Sequence, residues 1–310
     1  QKQIQTMTSS EDDGVVIAWP LDDCTDEQLK KIAQLRKITQ SWEMTDRIRN
    51  WVDDLTLFRF LRGLDWDMDV TKGQLKETLE WRESYRPDLI EYEDVKEVAR
   101  MKYLYQIGED LNHKPVMYLE LGLDKAGYTD EDNLMRLKFV IYTMERTVEK
   151  MRKGVFSITW IIDCKNTSLT VRAIKANAKM FGNLGNYYTE QLSKSIVVNP
   201  PWTIRVLWGV IKLFIAKETA AKYTFISGKA KHQATAFDTL ISPDQRTQKY
   251  FGNIEFDYDP DKEAAKDIKR LSQEVEAITA ESTEETHDDD QQSASKEAED
   301  EHLIHVDVQV

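Results

Sequence analysis

Between residues 114 and 240 short apolar runs alternate with helical stretches of ten residues or more, and this alternation restricts the architecture more than any other feature. KPVMYLELG, from Lys114, reads as a strand, 129–153 as a long helix, and VFSITWIID at 155–163 as a second strand bounded by Gly154. Residues 169–187 read as a helix, 194–198 as a third strand, 202–216 as a helix, KYTFI at 222–226 as a fourth strand, and 229–240 as a helix. Strands separated by helices of this length join a mostly parallel sheet through right-handed crossovers. The fold class is α/β.

The first third of the chain has a different grammar. Thr25 to Gln28 fits a capping box ahead of Leu29, Ile32, Ala33 and Leu35. DDLTLFRFLRG spaces Leu55, Phe58 and Leu61 along one helical face and stops at Gly63, which reads as a C-terminal cap; 69–85 forms a further helix ending before Pro87. Residues 21–90 are thus a small helical bundle, after a flexible lead-in over 1–20. Past Pro260, Ala264, Ile268, Leu271, Val275 and Ile278 trace a thin apolar seam on a helix over 259–280. Residues 281–310 are too charged and too poor in apolar side chains to bury a core, and read as a disordered acidic tail.

The most apolar stretch is 196–226, in a chain of which 31% is charged. From Trp202 its helix places Ile204, Leu207, Trp208, Ile211 and Phe214 or Ile215 at helical spacing, while Val206, Val210 and Leu213 widen the apolar side beyond what a surface helix needs. Arg205 and Lys212 interrupt it, and it is too short to span a bilayer. Two roles fit: a core helix, or a helix that covers a greasy cavity and touches lipid.

Charge and motif content exclude several functions. Net charge is −13, and residues 259–310 hold 17 acidic against 5 basic residues, so the preceding body is nearly neutral. A body without a basic stripe, followed by an acidic tail, argues against nucleic acid. Nucleophile elbow, phosphate loop, dinucleotide turn and zinc helix motifs are all missing, so no metal, cofactor or catalytic residue is expected. Two cysteines, Cys24 and Cys164, and no apolar signal region point to a cytoplasmic protein.

In VFSITWIID, Phe156, Ile158, Trp160 and Ile162 alternate with Ser157, Thr159, Ile161 and Asp163. Either helices cover both faces, or one apolar face floors a cavity that the 202–216 helix closes.

The motif order carries a resemblance. DDLTLFRFLRGLDWDMDVTKGQLKETLEWRES, HKPVMYLELG, WIIDCKN and YYTEQLSKSIVVNPPW together resemble the CRAL-TRIO lipid-binding family over about residues 25–255. The resemblance implies a CRAL-TRIO N-terminal helical bundle at 21–90 and a lipid-binding domain at 91–258. It also implies an internal cavity gated by a mobile amphipathic helix, here 201–216. By similarity to the phosphatidylinositol transfer branch, Glu190, Thr219 and Lys222 are the lipid headgroup residues. Leu64 and Asp65 stand where that branch carries a basic pair, and Asn253 where a glycine is usual. Anchored on Asp163, the cavity wall falls on Ile158, Trp160, Ile162 and Met117. Trp202, Arg205, Leu207, Trp208, Ile211, Lys212 and Phe214 are the gate and membrane contacts.

The expected ligand is phosphatidylinositol, another phospholipid, or a sterol or isoprenoid, moved between membranes by a protein visiting their surface without a catalytic step. The alternative is a CRAL-TRIO scaffold that recruits a protein partner through its acidic tail.

Overall fold

The computed structural model describes residues 17–125, 127, 129–167, 184–212, 217–270 and 272–273. Four helices open the fold: α1 (Asp26–Gln40), α2 (Asp46–Trp51), α3 (Asp54–Gly63) and α4 (Met68–Tyr85). Their starts are written in the sequence. Thr25 and Gln28 close the capping box of α1, Asp53 accepts from the Thr56 amide, and Asp67 accepts from the Asp69 and Val70 amides. Leu35, Ile48, Phe60, Leu61 and Leu75 fill the space between these helices.

A short helix, α5 (Lys96–Ala99), leads into a five-stranded sheet of β1 (Leu104–Glu109), β2 (Pro115–Glu120), β3 (Ile158–Asp163), β4 (Leu192–Val198) and β5 (Tyr223–Ile226), paired in that order. β1 is antiparallel to β2, and every other pairing is parallel. Helix α6 (Asp130–Glu149) joins β2 to β3, while α7 (Trp202–Ile211) and α8 (Lys217–Ala221) lie between β4 and β5; α9 (Ala230–Asp238) follows β5. The four parallel strands are those read from the sequence; β1 is an addition. Its alternation is interrupted at Gly108, where the pairing register shifts between Gln106 and Glu109 and φ is +66°. A Cβ at that glycine would lie 1.9 Å from the Gln245 carbonyl oxygen, so the bulge is set by a backbone approach from 137 residues downstream.

Register fixes the two faces. Met117, Trp160, Ser195 and Tyr223 sit side by side across β2 to β5, and Leu119, Ile162, Val197 and Phe225 form the next row. Toward β1 this face packs on α6, whose Phe139, Val140 and Met144 join Leu104, Met117 and Leu119 in one buried cluster. Toward β5 it meets α7, whose Trp208 ring lies 4.6 Å from Tyr223 and 5.4 Å from Phe225. The opposite face buries Tyr118, Ile161, Ile196 and Ile226 against Phe237 of α9, Ile241 and Tyr250. The bundle docks near the N-terminal ends of β3 and β4 through Phe58 on Phe156, 5.6 Å edge to face, and Trp81 stacked on Tyr187 at 4.3 Å.

On the α9 side, Tyr105 stacks on Tyr118, and Tyr250 lies tilted 33° against Tyr118 with ring centres 5.0 Å apart. Burial above all, with added repulsion from Glu120 at Tyr105 and Tyr250, raises their phenol pKa above the ordinary 10.0. Phenols whose pKa is higher in the folded chain than in the unfolded one contribute stability that is whole below about pH 10. That contribution is lost as pH climbs from there toward the folded value. Tyr118 also carries a buried hydroxyl without a hydrogen-bond partner among the described residues. Tyr118→Phe is therefore expected to stabilise the protein by about 1 kcal/mol at neutral pH and to soften the alkaline loss, both read from urea denaturation on either side of pH ~10.

Residues 259–310 form a separate compact unit. Its described part contains a helix over 260–270, on which Ala264 is buried and Ile268 is exposed. Leu271, Val275 and Ile278 of the expected seam lie outside the described residues, as do 281–310, 1–16 of the lead-in and 168–183 of the helix expected at 169–187.

Candidate lipid site

The residues that precede the parallel strands lie at one end of the sheet, the N-terminal strand ends: Lys114 before β2, Phe156 before β3, Glu190 before β4 and Lys222 before β5. Glu190 occupies the left-handed region at φ 58°, a costly setting for a non-glycine residue that needs outside support. Arg59 of α3, fully buried, supplies it by donating to the Thr189 carbonyl at 2.9 Å. Burial lowers the pKa of this guanidinium to about 10, which leaves it cationic at neutral pH.

Gly63 completes the fit. It is the last residue of α3 and lacks the positive φ of a cap; Asp65 and Trp66 take that conformation instead. A Cβ at Gly63 would lie 2.7 Å from Thr189 Cγ2 and 2.8 Å from Glu190 Cγ, so the expected cap is in fact a close approach between bundle and turn.

Held there, Glu190 accepts from Lys222 Nζ at 2.9 Å, and Arg62 Nε approaches its other oxygen at 3.7 Å. Two residues 32 positions apart thus form one ion pair with both charge signs available to a polar headgroup. The side chain of Thr219, on α8, lies outside the described residues.

Met117, Ile158, Trp160 and Ile162 share one sheet face. The first three are buried and Ile162 is half-buried, all in the cluster that contains α6, Leu184 and Tyr188. Ser157 and Thr159 are buried on the other face, where the Thr159 hydroxyl donates to Asp110 at 2.7 Å. On α7, Trp202 is 75% exposed and Val206 60%, while Trp208 turns onto β5. Arg205 donates to the Ser227 hydroxyl, and Lys212 is exposed. The side chains of Leu207 and Ile211, and all of Phe214, lie outside the described residues.

Sequence reading missed Arg59, Arg62 and Lys114. The RFLR run marked the arginines as part of a motif, but nothing local says that one holds the Glu190 turn and the other faces its carboxylate. It also missed the polar cluster at the opposite strand ends. There Asn199 donates to Asp163 at 2.9 Å, the single Tyr250 hydroxyl proton is shared between Glu120 at 3.2 Å and Asp163 at 3.3 Å, and Lys249 pairs with Glu120. This cluster anchors the turn from which α7 departs. Cys164 beside it is buried, and burial with the Asp163 charge pushes its thiol up to about 12, which makes it inert. Among the described residues no group of three or more metal-type ligands stands together.

The family model for the CRAL/TRIO domain matches residues 99–252. These residues are a CRAL/TRIO domain. A CRAL-TRIO domain-containing protein of Schizosaccharomyces pombe is 24% identical over 247 residues, covering 76% of this chain and 23% of that protein. The SEC14 cytosolic factor of Kluyveromyces lactis is 28% identical over 220 residues, covering 66% of this chain and 71% of that protein. The crystal structure of Sfh5 superposes with a TM-score of 0.55 at 15% identity, covering 74% of this chain and 87% of that one, which shows the shared CRAL/TRIO fold. The chain spans well under half the length of the first curated relatives that it matches, 23% to 38%.

Proposed function

We propose that this CRAL/TRIO domain binds a lipid on the sheet face between α6 and α7 and exchanges it with membranes, without a catalytic step. The observation that carries this reading is the double apolar character of α7: Trp208 rests on β5 while Trp202 and Val206 stand in solvent. A helix that is greasy on both sides is served by two environments, the protein and a bilayer surface. No helix among the described residues is long and apolar enough to cross a membrane; in this reading a cytoplasmic carrier visits the membrane surface through α7. The Glu190–Lys222 pair supports a phospholipid, phosphatidylinositol among them, because the ammonium meets a phosphodiester and the carboxylate accepts from sugar hydroxyls. Leu64 and Asp65, in place of a basic pair, keep a sterol or isoprenoid as the competing ligand.

Two measurements test this. Native mass spectrometry with solvent extraction identifies any lipid that travels with the purified protein: a phospholipid supports the Glu190–Lys222 assignment, a sterol or isoprenoid removes it, and an empty protein favours a scaffold that recruits partners through its acidic tail. Replacing Trp202 and Val206 together by Ser is expected to slow transfer of a fluorescent phospholipid between vesicles about tenfold or more, at unchanged helicity. An unchanged rate removes the gate.

A further inference from the structure

A cleft of about 660 Å³ opens beside the Glu190 turn, between the approach to α1, the end of α3 and the residues that precede β2 and β3. That volume suits a small organic molecule. Phe58, Trp66 and Phe156 supply aromatic walls, and Arg62 and Lys114 supply two cations.

Neither cation is well neutralised. Lys114 is half-buried, and its ammonium donates to the neutral Ser193 hydroxyl at 2.8 Å. The nearby Asp110 carboxylate is committed to the Thr159 hydroxyl and to the amides of Asn112 and Lys114. Burial lowers the Lys114 pKa, and although Asp110 opposes this, Lys194, Arg62 and Lys222 add to it, as in a site that lacks an anion. Arg62 lies over the rings of Phe58 and Phe156 at 5.9 and 5.6 Å. Its carboxylate contact is the 3.7 Å approach to Glu190, which Lys222 already holds at 2.9 Å. Asp23 also lines the cleft, and among the described residues no ion pair joins it to either cation. The anion-accepting end is therefore the Arg62–Lys114 end.

We propose that this cleft binds an organic phosphate, with the phosphoryl group between Arg62 and Lys114 and an apolar or aromatic body against Phe58, Trp66 and Phe156. Guanidinium and ammonium donors give charge-assisted hydrogen bonds to phosphate oxygens, and the rings on which Arg62 lies hold it in place. The site does not depend on a lipid occupying the sheet face. The phosphate chemistry has two sources, a soluble ester or the headgroup of an anionic lipid at a membrane.

The test titrates the full chain with phenyl phosphate and with inorganic phosphate by calorimetry, and measures flotation with phosphatidylcholine vesicles with and without phosphatidic acid. Saturable binding of phenyl phosphate, tighter than inorganic phosphate, is the expected result. Arg62→Gln and Lys114→Met, near in volume to the native residues and checked for unchanged melting, should each weaken it about tenfold or more. Lys222→Gln, which leaves Glu190 to Arg62 alone, should weaken it less than either of these substitutions. Flotation that requires phosphatidic acid and fails in the same two variants, with no binding of phenyl phosphate, assigns the site to a lipid headgroup. Binding of none of these probes, or binding that both substitutions leave unmoved, overturns the proposal. Equal loss in Lys222→Gln merges the cleft with the Glu190 site and overturns it as a separate one.

Discussion

Arg82→Met is expected to lower the unfolding free energy by about 3–5 kcal/mol, the cost of leaving a buried carboxylate without its counterion. Arg82, on α4, donates from both terminal nitrogens to Glu145 of α6 at 3.0 and 2.8 Å, and both side chains are almost without solvent. Its guanidinium also lies 4.4 Å from the centre of the Trp51 ring. Glu145 would retain the Tyr188 hydroxyl at 2.7 Å, a neutral donor that cannot balance a full charge. The double variant Arg82→Met, Glu145→Met should recover most of the loss, because an apolar pair removes the buried charge altogether. Urea denaturation of the two single variants and the double variant, read as a thermodynamic cycle, checks this. If the single and double variants are equally destabilised, packing rather than charge dominates at this contact. Tyr188 opens the turn that carries Glu190, so the same substitution is expected to loosen that turn and the proposed headgroup pair with Lys222.

Asp110→Ala should cost about as much, roughly 3–5 kcal/mol, through three stranded donors. One carboxylate oxygen accepts from the amides of Asn112 and Lys114 at 2.8 and 3.1 Å, and the other accepts from the Thr159 hydroxyl at 2.7 Å. The first two bonds close the turn between β1 and β2, and the third ties that turn to β3. Asp110→Asn keeps the acceptor oxygen but loses the charge, and should cost only about 1–2 kcal/mol. Denaturation midpoints for the pair provide the check. An alanine variant as stable as the asparagine variant would show that water reaches these donors. Because the turn ends on Lys114, Asp110→Ala is also expected to weaken any anion bound in the cleft.

Most of the architecture follows from local chemistry. Thr25, Asp53 and Asp67 cap their helices as short polar side chains do wherever a helix begins, and the apolar runs before Glu120, Asp163, Val198 and Ile226 are strands by composition alone. The α/β class follows, since helices between strands leave parallel pairing as the available solution. β1 escaped because its bulge answers to Gln245, a residue that no window around Gly108 contains.

The site divides in the same way. The residue types on α7 mark it as unusual from spacing alone, for an excess of apolar side chains is a property of the helix itself. Which of them face protein and which face water depends on where β5 lies, and only the register of Tyr223 and Phe225 under Trp208 decides that. Glu190 and Lys222 were singled out through a family resemblance, whereas their contact depends on Arg59 and Gly63 shaping a strained turn from a different part of the chain. Periodicity, capping and composition act over a few residues, so the order of elements, the apolar excess of α7 and the inventory of charges were legible in the sequence. Which polar groups meet was settled by the tertiary structure, since partners such as Arg62 and Glu190, or Lys114 and Ser193, are brought together by strand pairing and bundle docking rather than by their neighbours in sequence.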